Sequence, residues 1–585
     1  MRNNHNSNHD DHRESLIRKH GAVYTPEALS DYVAAKTVHY LEADKEFGSI
    51  LKLSIVDPAV GDGMLLDSMA RTCLGVDGHF QLKLCGIDIN PRAIAQCRLR
   101  LSNLTQRTRL NLITTNSLKP FGRKSLRTGL DDLFRRATIQ DGFDVLVANP
   151  PWGADLSELL SQLDSAEFET LFGPVDSFEL FFELALKLVR PGGYVALIVP
   201  DSILNHGKST LRQIIVTKTQ IKFLARLGEG IFPKVYRGTV IVICKNSLPR
   251  ANSVTECFRL TASARKQVLK RKKTFAEVEG LSLHRVPQSR FTKNPNNQFD
   301  IDLLETESSL LRKVRARSRT LGYYLVSSRG VELGKSGMIC LCPTCSSWQP
   351  MSVQEEASCK SCGHEFAPAQ AKRRQIVLDE RLQSSAPLIT GSDLRRYRCT
   401  SSRWILLDVA GIDYKDPATY RPPKILIRKT GVGLTAALDY TYSYTNQVVY
   451  IFHPKRGIDP SLEFFIGLIN SRLYYFVLSK SFGELEWRSH PYLTQSQVLE
   501  LPVPPLETER AARICRQITG VLKPGLKKGY FTKDQDMKVE RAIGELFRLR
   551  EKDFKIIFNA IDEAEELLPV RELKKFTMSE FLGGK

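Results

Sequence analysis

Short apolar runs alternate with stretches of helical spacing from Gly21 to Leu248. The strand-like runs are Leu53–Val56, Leu84–Ile87, Leu110–Thr114, Asp144–Ala148, Tyr194–Val199 and Thr239–Cys244, and helical segments such as Pro91–Leu101 and Phe178–Val189 fall between them. A helix is predicted to open at Thr25-Pro26-Glu27, with Thr as cap, Pro in the first turn and Leu29, Val33, Val38 and Leu41 on one face. Strand and helix in alternation predict an α/β fold: a doubly wound, Rossmann-like, mostly parallel sheet covered on both faces, formed by residues 21–248. Beyond it the texture changes. Residues 249–320 read as a basic linker with a helix at Ser263–Lys273 and a Ser/Asn/Pro-rich passage, Pro287–Phe299. Residues 321–505 mix short strands, turns and helices as an α+β domain does, and 506–585 are charged and helical with a break at Pro569. Residues 1–20 form a polar tail, expected to be disordered, that holds four of the eleven histidines.

Composition narrows the class. With 42% hydrophobic and 25% charged residues the chain has the make-up of a soluble globular protein. It shows no apolar run of membrane length and no signal-peptide core, so no membrane association and a cytoplasmic location are expected. The 84 basic residues exceed the 64 acidic ones by 20. Fifteen of those excess charges lie in two stretches: Arg259–Lys293 has ten Lys/Arg against two acidic residues, and Lys372–Lys429 has thirteen against six. Such concentration points to a polyanionic partner. Seven of the twelve cysteines are scattered singly, as reduced buried thiols are, and the remaining five are clustered.

Three motifs at strand ends carry the chemistry. Asp57-Pro58-Ala59-Val60-Gly61-Asp62-Gly63 follows the first strand, where glycines let the backbone turn sharply and approach a ligand. No Lys-Ser/Thr follows it, and its acidity would repel phosphate. Asp57 and Asp62 suit a cationic cofactor such as S-adenosyl-L-methionine. Asp88 ends the next strand, 31 residues on, where a carboxylate can accept ribose hydroxyls. Asn149-Pro150-Pro151-Trp152 follows Phe143–Ala148. Asn149 offers an amide carbonyl, Pro150 a backbone carbonyl on a stiffened turn, and Trp152 a flat face; together they can accept two hydrogen bonds from an exocyclic amine and grip a planar ring.

Taken together, Gly21-Ala22-Val23-Tyr24-Thr25-Pro26, the Asp57–Gly63 loop, Asp88, Asn149–Trp152, Phe178–Val189 with Pro191-Gly192-Gly193, and Ile231-Phe232-Pro233 resemble the gamma class of DNA adenine-N6 methyltransferases of restriction-modification and phage-defence systems. The resemblance implies that Thr25, Asp57, Ala59, Gly61, Gly63, Asp88 and Ile89 line a cofactor pocket, with Phe178 against the cofactor adenine. It implies that Asn149 and Pro150 accept from the target amino group while Trp152 and Phe232 sandwich a flipped base. Where this class carries an acidic residue the chain has Asn116-Ser117, and an amide at Asn116 can still face the cofactor. Double-stranded DNA is the implied partner, with a separately encoded restriction endonuclease or defence-system subunit beside it.

Cys342-x-x-Cys345 and Cys359-x-x-Cys362, thirteen residues apart, have the spacing of a zinc ribbon over 340–366, with four thiolates and hence a structural Zn2+. Cys340 and His364 are spare ligands. Around the ribbon, Ser328–Gly334, Pro387–Asp393, Lys424–Lys429 and Phe465–Ser471 resemble the Taq-type C-terminal specificity domain. That likeness implies target recognition by residues 321–505, with Arg395, Arg396 and Arg428 on phosphates or base edges. The rivals are methylation of RNA or of a protein glutamine, and a zinc-ribbon DNA-binding protein with a decayed catalytic core.

Overall fold

In the computed structural model the described residues are 24–44, 47, 52–75, 81–104, 108–173, 175–204, 208–233, 235, 237–280, 282–334, 337–352, 356–431, 433–455, 457, 461–482, 493–564 and 568–583. The expected tail over 1–20 and Gly21, Ala22 and Val23 of the opening motif lie outside them. The chain divides into two units, 1–304 and 305–585.

In the first unit the apolar runs pair as nine strands: β1 (Lys52–Asp57), β2 (Gln81–Asp88), β3 (Thr108–Thr114), β4 (Phe143–Ala148), β5 (Val189–Pro200), β6 (Gln220–Gly228), β7 (Thr239–Lys245), β8 (Val254–Arg259) and β9 (His284–Pro287). They lie in the order β3-β2-β1-β4-β5-β7-β6-β8-β9. Strands β1 to β5 run parallel, β7 is antiparallel to both β5 and β6, and β8 is parallel to β6. The C-terminal ends of β1, β2, β4, β6 and β8 therefore share one edge of the sheet. The six strands read from the sequence are all present. Three more, β6, β8 and β9, are added, so the sheet runs past Leu248 and takes in much of the segment expected as a linker.

Alternation explains the two-sided core. On β4, Val145 and Val147 face one cluster with Leu29 and Val33 of α1 (Glu27–Glu42) and Leu65 and Met69 of α2 (Met64–Gly75). Leu146 and Ala148 face the other, with Leu130 and Leu133 of α3 (Leu126–Ala137) and Phe182 of α4 (Ser177–Leu188). Helix α1 begins where the sequence predicts, but Thr25 does not cap it: Pro26 occupies the cap position without a side-chain bond. The threonine hydroxyl is used elsewhere.

The second unit contains two four-stranded sheets, one of residues 325–329, 449–454, 424–428 and 436–439, the other of 377–378, 403–406, 385–389 and 444–445. Small strands at 338–341 and 348–350, paired with 373–375, carry the first cysteine knuckle, and a separate pair at 357–358 and 365–366 carries the second. Helices Glu509–Lys528, Lys533–Leu546 and Glu551–Asp562 follow. Among the described residues no helix is long and apolar enough to cross a membrane.

Candidate active site and metal centre

The turn after β1 bends because Gly61 and Gly63 adopt φ of 54° and 85°, the left-handed region that favours glycine. Gly63 is further constrained, since a Cβ there would fall 2.7 Å from the Cys97 sulfur. The resulting cleft is lined by Tyr24, Thr25, Asp57, Ala59, Gly61, Asp62 and Asn149, together with Val60, Met64 and Leu65.

Asp57 ends β1 almost wholly buried, at 2% exposure. Burial pushes its carboxyl up to about 8; the Ala59 N–H at 2.9 Å opposes this, and the charges of Asp88 and Asp62 reinforce it. Asp62 is paired with Arg100 at 2.7 Å. Asp88 accepts from the Gly61 N–H at 3.0 Å and from the Asn90 N–H at 2.8 Å, which ties the ends of β1 and β2 together. Beside it Ile89 is 59% exposed. A buried acid, two acidic neighbours and close-approach glycines suit a cationic, nucleoside-like ligand.

Strand β4 lies beside β1 in parallel register, Ile55 opposite Val145 and Val56 opposite Leu146. Asn149 therefore emerges next to the glycine turn. Its amide nitrogen donates to the Thr25 hydroxyl at 3.2 Å, which directs the carbonyl oxygen the other way. The following turn is braced from α4. Ser177 Oγ donates to the Pro151 carbonyl at 2.6 Å, and the Gly153 N–H donates to Asp176 at 2.8 Å. Arg237 holds the second Asp176 oxygen at 2.7 Å. Among the described residues no hydrogen bond reaches the Pro150 carbonyl.

Five of the expected residues thus line one cleft: Thr25, Asp57, Ala59, Gly61 and Asn149. Others stand apart from its lining. Phe178, in the first turn of α4, is fully buried, with Lys208 over its ring at 5.9 Å. Asn116 spends its carbonyl on the Leu118 N–H at 3.0 Å. Trp152 and Phe232 do not form an open sandwich: their centroids are 5.4 Å apart at 81°, edge against face, and the Trp152 indole donates to the Ile198 carbonyl at 3.3 Å. Sequence reading missed Tyr24 as a lining residue and the Asp176–Arg237 brace, although Asp176 with Glu179 three positions on carries the signature of a capping box.

In the second unit the four sulfurs of Cys342, Cys345, Cys359 and Cys362 lie within 4.8 Å of one another. The Cys342–Cys362 and Cys345–Cys359 separations are 3.7 and 3.6 Å. A tetrahedron with metal–sulfur bonds of about 2.3 Å has edges of about 3.8 Å, so the donors fit a closed four-thiolate zinc site. Cys340 is buried outside the cluster and His364 is no member of it. Arg396, expected on DNA, is instead turned into the protein. Its guanidinium is buried against Asp536 at 2.7 Å, with Glu540 at 3.9 Å, so its charge is neutralised inside the protein. Arg395 donates to the Ser392 and Leu394 carbonyls and sits close enough to Arg428 to lower its pKa, an effect to which burial contributes more.

Residues 83–232 match the Eco57I restriction-modification methylase family and residues 386–503 the TaqI-like C-terminal specificity domain. The Type II methyltransferase M.VspI of a Vibrio species is 23% identical over 334 residues, 56% of this chain and 68% of that one. A putative type II restriction enzyme and methyltransferase of Methanocaldococcus jannaschii, RM.MjaORFECS2P, is 29% identical over 132 residues, which cover 22% of this chain but only 11% of that protein. Among solved structures, a nuclease-deletion mutant of the Type ISP restriction-modification enzyme LlaGI in complex with a DNA substrate mimic aligns with 86% of this chain and 47% of its own, at 13% identity and a TM-score of 0.49. The chain therefore joins a methylase domain of the restriction-modification type, a class of S-adenosylmethionine-dependent DNA methyltransferase, to a TaqI-like specificity domain.

Proposed function

We propose that this chain methylates the N6 amino group of adenine at a specific site in duplex DNA, with the target base flipped out of the helix. The observation that carries the reading is the position of Asn149 in the same cleft as Asp57 and the Gly61 turn, with its amide oriented by Thr25. An adenine amino nitrogen is a poor nucleophile because its lone pair is delocalised into the ring. The carbonyls of Asn149 and Pro150, aimed at its two hydrogens, draw it toward a tetrahedral shape and localise that pair. Positioning and electrostatics then carry the attack, in which the new N–C bond would form as the donor's S–C bond breaks. The methylated nitrogen, cationic at that point, sheds one proton to solvent, so no general base is needed before attack. S-adenosyl-L-methionine, when bound, supplies an electrophilic methyl on a sulfonium. Asp57 and Asp88 hold that ligand, its positive charge answering the acidic cleft, with Ile89 beside Asp88.

The base must leave the stack because its amino group is out of reach within a duplex. Arg395 and Arg428 of the specificity domain are the residues proposed to meet DNA, and a four-thiolate Zn2+ braces the ribbon over 340–366. A separately encoded restriction endonuclease or defence-system subunit is the proposed partner. The test is methylation-sensitive sequencing of DNA from cells expressing the wild type or Asn149→Ala. Modified adenine at one motif in the first sample and at least about 100-fold less in the second is expected. No modified adenine in either sample defeats the reading.

A further inference from the structure

The cleft accounts for one edge of the first unit only in part. After β8 the chain leaves that same edge through the helix Ala262–Leu269, and then through Lys270-Arg271-Lys272-Lys273, four consecutive cations that are all exposed. The turn is well defined. Lys270 N–H bonds to the Lys266 carbonyl, Arg271 N–H to that of Val268 and Lys272 N–H to that of Gln267. Arg271 has φ 54°, a left-handed position at a helix end where glycine is the usual choice. The helix macrodipole favours a cation at Lys270 but explains neither an arginine in a strained position nor the two lysines after it.

Placement decides what the turn can do. Arg265 donates to the Leu227 carbonyl at 3.4 Å, and the Leu269 side chain lies 4.0 Å from where a Cβ on Gly230 would sit. Leu227 and Gly230 lead directly into Phe232, whose ring meets Trp152. The basic turn is thus fastened to the segment that supplies one of the proposed base-stacking rings. None of the four makes a salt bridge among the described residues. Glu277, near enough to Lys273 to feel its charge, is committed to the Thr274 cap.

We infer that Lys270, Arg271, Lys272 and Lys273 form a phosphate clamp on the methylase unit itself, which grips the DNA backbone beside the base entering the pocket, independently of the specificity domain. This rests on the reading of duplex DNA as substrate. Phosphate contacts fix position and supply affinity without reading sequence, so the clamp accounts for affinity and leaves the recognised motif to other residues.

The test compares the full-length wild type with Lys270→Ser/Arg271→Gly/Lys272→Ser/Lys273→Ser, in which glycine relieves the strained position. A second variant, Lys270→Arg/Lys272→Arg/Lys273→Arg, keeps the charge. Binding to a random-sequence DNA duplex is followed by fluorescence anisotropy between about 50 and 200 mM salt. Four lost phosphate contacts make the slope of log K against log salt shallower by about 3 to 4 in the first variant, and the second variant keeps the wild-type slope. Cofactor affinity and the methylated motif stay as in the wild type. An unchanged slope in the first variant overturns the inference, as does a change seen with duplex RNA but not with DNA. Absence of methyl transfer by the wild type would defeat the proposed function, whereas the binding slopes judge the clamp alone.

Discussion

Asp57 makes the cofactor site pH-dependent in a direction that can be worked out. Its folded-state pKa of about 8 stands above the reference 3.8 because the carboxyl is buried, with Asp88 and Asp62 adding to the shift. At pH 6 about one molecule in a hundred carries the Asp57 carboxylate, so a cation that needs it binds about 100-fold more weakly than at pH 9, or about 2.7 kcal/mol. Affinity for S-adenosyl-L-methionine should therefore rise about tenfold per pH unit up to 8 and then level. Asp57→Asn, which cannot ionise, should remove that rise while leaving any pH dependence of the ligand's own amino group, so the difference between the two curves isolates the residue. Calorimetric titration between about pH 6 and 9 measures both. The same shift has the opposite sign for the unliganded protein. A carboxyl whose pKa is raised on folding contributes stability that is complete below the unfolded value and is lost as pH rises through the folded one. The unliganded first unit should become less stable from pH 4 toward 8, and Asp57→Asn should flatten that decline. Parallel affinity curves for wild type and Asp57→Asn would refute the reasoning.

Two further outcomes are expected. Thr25→Val removes the acceptor that orients the Asn149 amide; a hydrogen bond of about 1 kcal/mol corresponds to roughly a fivefold fall in kcat, restored by Thr25→Ser, and an unchanged kcat would show that Thr25 does not position Asn149. Cys345→Ser opens the four-thiolate cluster, so metal analysis should give about one zinc per wild-type chain and less than half in the variant, with limited proteolysis cutting within 340–366; equal metal content would count against the ribbon.

The sheet's central strands were legible because their apolar runs end in turn residues, as Asp144–Ala148 does before Asn149. Strand β6 was not, because Lys222 and Arg226 interrupt it. Arg226 is tolerated in a covered strand because carboxylates distant in sequence pair with it, Asp302, 76 residues later, at 2.7 Å and Asp201 at 3.9 Å. Long-range partners also decide the two misread side chains. Thr25 before a helix has the local signature of a cap, yet its hydroxyl serves Asn149 from 124 residues away. Arg396, in a basic stretch, reads as a DNA contact until Asp536, 140 residues on, is seen to neutralise it inside the core. Local spacing succeeds where the chemistry is local, as in the cysteine knuckles and the glycine turn, and fails where a distant residue supplies the counter-charge or the acceptor.

The aromatic pair shows the same limit from the other side. Sequence identifies Trp152 and Phe232 as flat faces but cannot give the angle at which they meet, which depends on the loop after β6 folding back over the turn after β4. Edge-on contact between the rings is worth about 0.5–1.5 kcal/mol, and the Trp152 hydrogen bond to Ile198 is long at 3.3 Å. A base stacked between aromatic side chains recovers about 1–3 kcal/mol per contact. The contacts that hold the pair edge-on are therefore of the same order as one such stacking contact, so under the proposed function a base that entered between the rings would exchange one for the other at small net cost to the protein.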